Sequence, residues 1–355
     1  MKIVILTRPP KNFFTVFSFY LIDWAKNLAK EVLFIPNYGP EAVLGSLIRG
    51  FKILKVDYQL NPPARDISDI VCVVSGVNAL RWAIEAKKQG KIKKIIAGPN
   101  LVITPEDAGG ILLDEVIDLV IVPSQWVKDF YASFDKTQNN ADINRPQNSA
   151  DTKQKDADSK QFQRDSACYQ RNSVSFKDKI RVWPAGVEIC PESKEKREGC
   201  LIYKKNVDEN LFNFILKHLK SQNIDYKIIE YGRYKKEKYF EILNKVKFMI
   251  YLSESESQGL ALHEAWMRNV PTLVWNQGYF EYKRVNKKVF GDISAPYLTE
   301  NCGMFFRDKK DFINKFNIFI ENLSGFKPRK YSLENFTDKI SAQNYLKFVE
   351  KTQKK

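Results

Sequence analysis

Two glutamates with seven residues between them carry the clearest chemistry in this sequence. Glu256 and Glu264 enclose a short polar stretch that ends at Gly259, followed by a run of helix-forming residues. A carboxylate can accept hydrogen bonds from a pair of sugar hydroxyls, and each such bond contributes about 1.5–3 kcal/mol. Open backbone N–H groups at a helix N-terminus bind phosphate, and a glycine allows a ligand to approach the backbone closely. The residue types therefore predict a site that holds a sugar, a diphosphate and a ribose side by side.

The segments around these glutamates are predicted to form a β-α-β unit. Residues 248–251 are a short apolar run typical of a buried strand, and residues 272–275 are again β-prone. Between them, residues 260–268 favour a helix that Asn269 and Pro271 end. The polar residues therefore fall where a strand passes into a helix. In open α/β sheets, ligands bind at this carboxyl end of the strands.

The same segment resembles the E-x7-E donor motif of retaining GT-B glycosyltransferases of the family 4 (glycosyl transferases group 1) type. Glu256 and Glu264 match the two glutamates, and Asn269-Val-Pro271 follows the helix as it does in that family. The resemblance implies that Glu256 faces the donor sugar as the catalytic residue and that Glu264 holds the nucleotide ribose. The loop residues that it places against the donor are Ser257, Gln258, Gly259 and Leu260.

Basic residues after two other predicted strands extend the expected donor site. Lys204 and Lys205 follow the strand at 200–203, where members of the family usually carry an arginine and then a lysine that neutralise the diphosphate. Gly232 and Arg233 follow the strand at 226–231, and the resemblance implies a loop near the nucleotide base there. A pair of surface lysines and a solvated arginine are the alternative interpretations.

Short apolar strands that alternate with helical stretches predict a doubly wound, parallel sheet in the first part of the chain. The predicted strands cover residues 2–7, 32–35, 69–75, 92–97 and 118–122, and the predicted helices cover residues 13–28, 77–88 and 106–115. The first loop lacks G-x-G-x-x-G, so a dinucleotide-binding fingerprint is absent. The residues expected on the acceptor side, just beyond the strand ends, are Arg8, Asn12 and Asn100.

The chain is expected to divide into an N-terminal Rossmann-like acceptor domain (1–187), a C-terminal Rossmann-like nucleotide-sugar donor domain (188–330) and a final segment (331–355). Residues 135–179 are predicted to be a flexible polar insertion, because they contain too few apolar residues to bury. Pro184-Ala-Gly-Val-Glu188 resembles the Pro-x-Gly-Val-Asp signature of the GT-B interdomain crossover. The resemblance thus implies an α/β protein with the GT-B fold, in which two doubly wound domains face a cleft and a C-terminal helix, expected at 333–351, crosses back. Residues 276–288 are expected to be a polar, aromatic loop.

Composition limits the partners and the compartment. The formal net charge of +15 favours an anionic partner, and the expected one besides the substrates is an anionic membrane surface. No apolar run approaches the roughly 18 residues that a transmembrane helix needs. The five cysteines indicate neither a disulfide framework nor a zinc site, and Asp156-Ala-Asp158 lies in the insertion, without a rigid frame for a metal. We therefore expect a cytoplasmic protein, able to work at the inner face of the plasma membrane, that uses neither a metal nor a cofactor.

With the resemblance, these features predict transfer of a sugar from a nucleotide-sugar donor to a hydroxyl of a glycan or lipid-linked glycan, with retention and without a metal. The expected process is bacterial surface glycan biosynthesis, for capsule, O-antigen or lipooligosaccharide. One alternative is a non-catalytic binding protein on a degenerate GT-B fold; no RNA-recognition, zinc-finger or helix-turn-helix pattern is present, so nucleic acid is not an expected partner. The other is a nucleotide-sugar epimerase, which needs several histidines and carboxylates in its cleft. The chain has only two histidines, His218 and His263.

Overall fold

The computed structural model describes residues 3–10, 40–67, 69–101, 103–135 and 175–353. Within these ranges the chain forms two α/β domains, each built on a parallel sheet. The predicted helix at 13–28, the predicted strand at 32–35, Asn12 and the Asp156-Ala-Asp158 triplet lie outside the described residues. No helix in the described ranges is both long enough and apolar enough to cross a membrane.

The first domain is a parallel sheet with helices against it. Its described strands are β1 (Ile3–Leu6), β2 (Tyr58–Leu60), β3 (Ile70–Val73), β4 (Lys94–Ala97), β5 (Leu119–Val122) and β6 (Ile180–Val182). They pair in the order β2-β1-β3-β4-β5-β6. The helices are α1 (Pro40–Ile53), α2 (Val77–Lys88), α3 (Gln125–Ala132) and α4 (Phe176–Lys179). Alternate residues of β1 enter opposite cores, Val4 on one face of the sheet and Ile5 on the other, so the strands read as continuous apolar runs.

The second domain repeats this plan. Its strands are β7 (Cys200–Lys204), β8 (Tyr226–Glu230), β9 (Phe248–Leu252), β10 (Thr272–Trp275), a hairpin of β11 (Tyr279–Tyr282) and β12 (Lys287–Phe290), and β13 (Gly303–Phe306). Apart from the hairpin, they form a parallel sheet in the order β13-β10-β9-β7-β8. The helices are α5 (Glu209–Ser221), α6 (Lys236–Lys245), α7 (Leu260–Met267) and α8 (Lys309–Glu321). The predicted β-α-β unit around the two glutamates is therefore confirmed as β9, α7 and β10.

The C-terminal part of the chain returns to the first domain. It consists of α9 (Pro328–Asn335) and α10 (Asp338–Gln353). On α10, Asp338 accepts from Arg49 Nε of α1 at 2.6 Å, and the carbonyl of Ser341 accepts from Trp183 Nε1 at 2.7 Å. Tyr345 is fully buried in the core behind β1 and β3. The predicted crossing of the last helix onto the first domain is confirmed.

The predicted single helix at 333–351 is wrong in one respect, because the chain breaks it at Phe336 and Thr337. There the amide of Val187 donates to the carbonyl of Phe336 at 2.7 Å, and Val187 forms a parallel bridge with Thr337. A Cβ on Gly186 would lie 2.6 Å from the backbone of Thr337 and Asp338. The two segments that connect the domains, at residues 186–187 and 336–337, therefore cross in close contact. A continuous helix through Phe336 and Thr337 could not make this crossing.

Two further predicted elements are wrong, and the ends of a third differ. The predicted helix at 106–115 is a pair of short turns, because Gly109 and Gly110 adopt positive φ angles of 78° and 76°. The predicted loop at 276–288 is instead the β11–β12 hairpin. Of the predicted insertion, the structure describes only Asp135 and residues 175–179, and these are ordered. The buried carboxylate of Asp135 accepts from Ser175 Oγ and, at 3.2 Å, from the amide of Lys177.

Candidate functional site

A cavity of about 180 Å³ lies between the two domains, beside the carboxyl ends of strands from both sheets. Its first-domain wall is made by Val43, Pro99, Asn100 and Pro123. The second-domain residues that line it are Tyr203, Lys205, Tyr231, Tyr251, Glu256, Ser257, Gln258, Gly259, Leu260 and Ala261. This is the place where open α/β sheets bind ligands, and it gathers most of the predicted donor residues.

Glu256 is held at the floor of this cavity by three donors on one oxygen. Its Oε1 accepts from Tyr251 OH at 2.7 Å, from Lys205 Nζ at 2.9 Å and from Ser253 Oγ at 3.1 Å. Only 11% of the Glu256 side chain is exposed. Its Oε2 receives no hydrogen bond from any residue that the structure describes. Glu256 therefore presents one fixed, partly open carboxylate oxygen to the cavity.

The backbone of Glu256 is also fixed, and from both domains. Its amide donates to the carbonyl of Ile293 at 2.8 Å, within the second domain. Its carbonyl accepts from Trp126 Nε1 of α3, in the first domain, at 2.9 Å. The position of the Glu256 loop is thus linked to how the two domains meet.

The first turn of α7 offers open backbone amides beside Glu256. Gly259 caps the helix with φ 83° and ψ 52°, a left-handed conformation that glycine adopts without steric cost. The amides of Gly259, Leu260 and Ala261 donate to no acceptor among the described residues, and all three residues line the cavity. Such amides, at the positive end of the helix dipole, favour an anionic ligand.

Glu264 lies one helical turn farther along, with its side chain buried and in different surroundings. Its Oε1 pairs with Lys236 Nζ at 2.6 Å, while its buried Oε2 has no hydrogen-bond partner among the described residues. Burial raises the pKa of the Glu264 carboxyl above its usual range, and the Lys236 ammonium partly opposes that rise. A buried carboxylate oxygen without a donor is costly. Unlike Glu256, Glu264 does not line the cavity.

The two predicted lysines diverge. Lys205 points into the cavity, where its Nζ lies 4.5 Å from the centre of the Tyr231 ring as well as beside Glu256. The ammonium of Lys204 instead pairs with Glu209 at 2.5 Å and covers the ring of Phe212. Successive residues at a strand end face opposite sides, so only one member of a lysine pair can reach the cleft. The structure brings Lys205 to the site and does not bring Lys204.

Of the other residues predicted to bind the donor, some line the cavity and some do not. Ser257 and Leu260 line the cavity, whereas the Gln258 amide group is occupied: it accepts from the amide of Ala185 at 2.9 Å and donates to the carbonyl of Ala185 at 2.7 Å. This pairing joins the α7 loop to the interdomain crossover. Gly232 and Arg233 do not line the cavity; Arg233 pairs with Glu230 on the surface. Their neighbour Tyr231 lines the cavity instead.

Of the three residues predicted to lie on the acceptor side, the structure brings one to the cavity. Asn100 lines it, and its buried Nδ2 has no hydrogen-bond partner among the described residues. Arg8 follows β1 with its amide bonded to Asn61 and does not line the cavity. Asn12 lies outside the described residues.

The β11–β12 hairpin connects the second domain to the first beside the cavity. The Phe280 ring packs 5.4 Å from Trp126, and the Tyr282 ring packs 5.5 Å from Phe130, both on α3. Arg284 pairs with Asp107 of the first domain. These contacts hold α3, and with it the Trp126 indole, against the Glu256 loop.

Neither histidine of the chain lines the cavity. His263 is fully buried, stacked 5.1 Å from Trp266 and 4.2 Å from Phe336, and burial lowers its pKa to about 3. His218 packs on Phe312 and Phe316, away from the cleft. Because neither histidine reaches the cavity, general acid–base catalysis by histidine is excluded at this site.

No group of three or more potential metal ligands occurs in the described ranges.

Several cavity residues were not predicted as such from the sequence. Tyr203 and Tyr251 lie within strands whose apolar pattern predicts core packing. Trp126, which does not line the cavity but donates to the Glu256 carbonyl, comes from a distant part of the chain. The signal that could have identified the tyrosines is their hydroxyl group: a buried tyrosine usually requires a hydrogen-bond partner. The nearest carboxylate to Tyr251 along the chain after the strand is in the Glu256 loop.

No protein-family model and no curated protein matches the sequence. Among solved structures, the chain is similar to the apo form of the lipopolysaccharide outer core galactosyltransferase WaaB, with a TM-score of 0.53, 12% identity and 99% of each chain covered. It is also similar to the pneumococcal O-GlcNAc transferase GtfA in complex with UDP and GlcNAc (TM-score 0.44, 13% identity), with 82% of this chain and 58% of that chain covered. For sucrose-phosphate synthase from Thermosynechococcus elongatus the TM-score is 0.45 and the identity 9%, over 80% and 73% of the two chains.

The likeness to WaaB extends over both domains and the returning C-terminal helix. Together with the two parallel sheets and the cavity between them, it shows that the chain has the GT-B fold. The fold class predicted from the sequence is confirmed.

Proposed function

We propose that this protein is a metal-independent, retaining glycosyltransferase that moves a sugar from a nucleotide-sugar donor to a hydroxyl acceptor. One observation carries the proposal: the Glu256 carboxylate, the Lys205 ammonium and the open amides at the start of α7 share one cavity between two GT-B domains. This set matches two parts of an activated sugar, because a carboxylate binds sugar hydroxyls while an ammonium and helix amides bind a diphosphate.

The proposed roles of Glu256, Lys205 and the α7 amides follow from their position in the cavity, and that of Glu264 follows from the resemblance to the E-x7-E motif. Glu256 orients the donor sugar through Oε2, the amides of Gly259, Leu260 and Ala261 hold the diphosphate together with Lys205, and Glu264 accepts from the ribose. The acceptor oxygen bonds to the anomeric carbon on the face from which the diphosphate departs, and the proton of the acceptor hydroxyl leaves with the diphosphate. Stabilising the negative charge on the leaving group is then the main source of rate, an electrostatic effect.

The first-domain wall is the proposed acceptor side. Val43, Pro99 and Pro123 give it apolar character, and Asn100 supplies an unpaired amide that can donate to an acceptor oxygen. We propose a glycan or lipid-linked glycan of bacterial surface assembly as the acceptor. The net charge of +15 supports work at an anionic membrane surface, where each nearby Lys or Arg contributes about 1 kcal/mol.

A thermal-shift panel of nucleoside diphosphates and nucleotide sugars tests the donor site, on wild type, Glu264→Ala and Glu254→Ala. Ligand at a hundred times its dissociation constant stabilises a protein by about 2.7 kcal/mol, a readily detected shift. We expect one nucleotide class to stabilise the wild type and Glu254→Ala, since Glu254 is an exposed residue of the same loop. Glu264→Ala should lose most of that shift. Stabilisation by no nucleotide would overturn the proposal.

The stabilising nucleotide sugar is then offered to acceptor glycans, with and without EDTA, and the products are analysed by NMR. Transfer with an unchanged anomeric configuration, unaffected by EDTA, is the expected outcome. Binding without transfer would favour the non-catalytic alternative, and an isomerised donor would favour an epimerase.

A further inference from the structure

Glu256 is held by donors of two kinds, one charged and two neutral. Lys205 Nζ, Tyr251 OH and Ser253 Oγ all reach the same oxygen, Oε1. A carboxylate oxygen offers about two lone-pair sites, so Tyr251 and Lys205 already fill those of Oε1. The single Ser253 hydroxyl proton is shared between Oε1 and the Ser255 carbonyl, which lies 3.0 Å from Oγ. The second oxygen, Oε2, is left to face the cavity.

We propose that Tyr251 is a positioning residue for the proposed transfer: it holds the Glu256 carboxylate in place when Lys205 turns to the donor diphosphate. The inference rests on the proposed function, in which Lys205 has two successive partners. In the ligand-free protein its ammonium neutralises Glu256. Once an anionic diphosphate enters the cavity, the phosphate oxygens compete for the same ammonium, and the neutral donors are what keeps Glu256 from rotating.

The Tyr251 phenol is rigid enough for this role. Its side chain is 1% exposed and stacks on the ring of Tyr203, with 4.7 Å between centroids and 17° between planes. Tyr203 is itself fixed, because its hydroxyl lies 2.9 Å from the hydroxyl of Tyr234. Because the Tyr251 ring cannot move, its hydroxyl group stays in one place, and the Glu256 carboxylate keeps this hydrogen bond only in one orientation.

Tyr251 also remains a donor throughout the neutral range. Burial, and after it the adjacent Glu256 carboxylate, raises the pKa of the Tyr251 phenol well above its usual value. Lys205 has more freedom, since 20% of its side chain is exposed and its ammonium also lies over the Tyr231 ring. The two donors therefore differ in the property the proposal needs: one is fixed, and the other can exchange partners.

The chain offers a matched control in Tyr239. This tyrosine is equally buried, packs 5.9 Å from the same Tyr203 ring, and donates its hydroxyl at 2.6 Å to the carbonyl of Ala261 rather than to Glu256. Tyr239→Phe and Tyr251→Phe each remove one buried hydroxyl from one aromatic cluster. Only Tyr251→Phe removes a donor from Glu256.

Calorimetry with a nucleoside diphosphate and with its nucleotide sugar measures how much the sugar adds to affinity. The wild type should bind the nucleotide sugar more tightly than the diphosphate alone. Tyr251→Phe should lose that difference while its diphosphate affinity stays within about twofold, a spread well under 1 kcal/mol.

In turnover assays the kcat of Tyr251→Phe should fall by about tenfold to a hundredfold, as expected for a misplaced catalytic group. Ser253→Ala should act in the same direction but less. Tyr239→Phe should change both quantities less than Tyr251→Phe does, since its hydroxyl bonds to the Ala261 carbonyl and not to Glu256.

The outcomes separate the two proposals. If no nucleotide or nucleotide sugar binds the wild type, the proposed function fails, and the role of Tyr251 fails with it. If donor binds and is turned over, but Tyr251→Phe keeps the sugar's contribution to affinity and its kcat, only the positioning role is overturned. Equal losses in Tyr239→Phe and Tyr251→Phe would also overturn it, since the effect would then be one of packing.

Discussion

Glu256 and Glu264 stand at the two ends of one short segment, yet the protein treats their carboxylates in opposite ways. Glu256 lies where the domains meet, with one oxygen saturated by three donors and a backbone bonded to the first domain. Glu264 is enclosed in the second domain, paired with one lysine, and its second oxygen is buried without a partner among the described residues. The first carboxylate is fixed by donors of the protein itself, whereas the second carries an oxygen that no described residue satisfies.

This difference suggests a division of labour. A carboxylate held in one orientation can act on a sugar during reaction without reorganising, which is the condition for electrostatic catalysis. In the proposed role of Glu264, a ribose hydroxyl that donates to the unsatisfied oxygen would relieve its desolvation and so contribute to ground-state affinity. We therefore expect substitutions at the two glutamates to separate turnover from nucleotide binding.

The largest expected effect is from the pair Glu256→Gln and Glu264→Gln. Glu256→Gln should lower kcat by about a hundredfold to a thousandfold, the range seen on removing a group that acts on the transition state, with nucleotide affinity retained. Glu264→Gln should weaken nucleotide affinity by about tenfold or more, because a charged acceptor is replaced by a neutral one. Steady-state kinetics and calorimetry on the same preparations make the measurement. The reverse assignment, with affinity lost in Glu256→Gln and kept in Glu264→Gln, would contradict this division.

The second prediction concerns the pH dependence of stability. Because burial raises the folded-state pKa of Glu264 above its unfolded value, this group favours the folded state most below the unfolded pKa. Its contribution is then lost as the pH rises through the folded pKa. Lys236→Met removes the cation that opposes the rise, so the loss should become larger and extend to higher pH.

Urea unfolding between about pH 4 and 8 measures this slope in wild type, Lys236→Met and the Lys236→Met/Glu264→Gln double variant. The double variant should lose the added pH dependence, since no carboxyl remains to titrate. Identical slopes in wild type and Lys236→Met would show that the lysine does not stabilise the Glu264 charge.

The third prediction tests the link of Glu256 to the first domain. Trp126→Phe keeps the ring packing against Phe280 but removes the Nε1–H donor to the Glu256 carbonyl. We expect kcat to fall by about tenfold, since small displacements of a catalytic group are costly, with nucleotide affinity unchanged because Glu264 is untouched. Trp82→Phe, on α2 of the first domain and away from the cavity, is the control. A loss of nucleotide affinity in Trp126→Phe would mean that the interdomain contact affects both carboxylates alike.

How much of this site could be predicted from the sequence depends on the range of each contact. The strand, loop and helix around Glu256 are specified by neighbouring residues, so both glutamates and Gly259 could be located. The sequence pattern predicts Lys204 as well as Lys205 at the site, because it does not say which of two adjacent lysines faces the cleft. Long-range partners could not be predicted either: the Gln258 side chain is taken up by Ala185, and the Glu256 carbonyl by Trp126.

The same distinction applies to the fold. Continuous apolar runs predicted the buried strands, because a parallel sheet covered on both faces produces that pattern. The break between α9 and α10 was missed because its cause lies in another part of the chain: Gly186 and Val187 cross the backbone at Phe336 and Thr337. The sequence predicts a loop in place of the β11–β12 hairpin, because the aromatic residues of the hairpin pack on α3 of the first domain and not on a core near them in the sequence.

The smallest expected effect is from the residue between the two glutamates. Gly259→Ala places a Cβ at a φ of +83°, which costs about 1–2 kcal/mol of stability, and that Cβ would lie 3.0 Å from Leu262 Cδ1 and 3.6 Å from Glu256 Cβ. Gly90→Ala is a matched control, since Gly90 has a similar φ of +71° with nothing within 4 Å of an added Cβ. Thermal unfolding should show comparable losses in the two variants. Only Gly259→Ala should also weaken diphosphate affinity, because it crowds the amides at the start of α7. Unchanged diphosphate affinity in Gly259→Ala would mean that these amides do not hold the diphosphate.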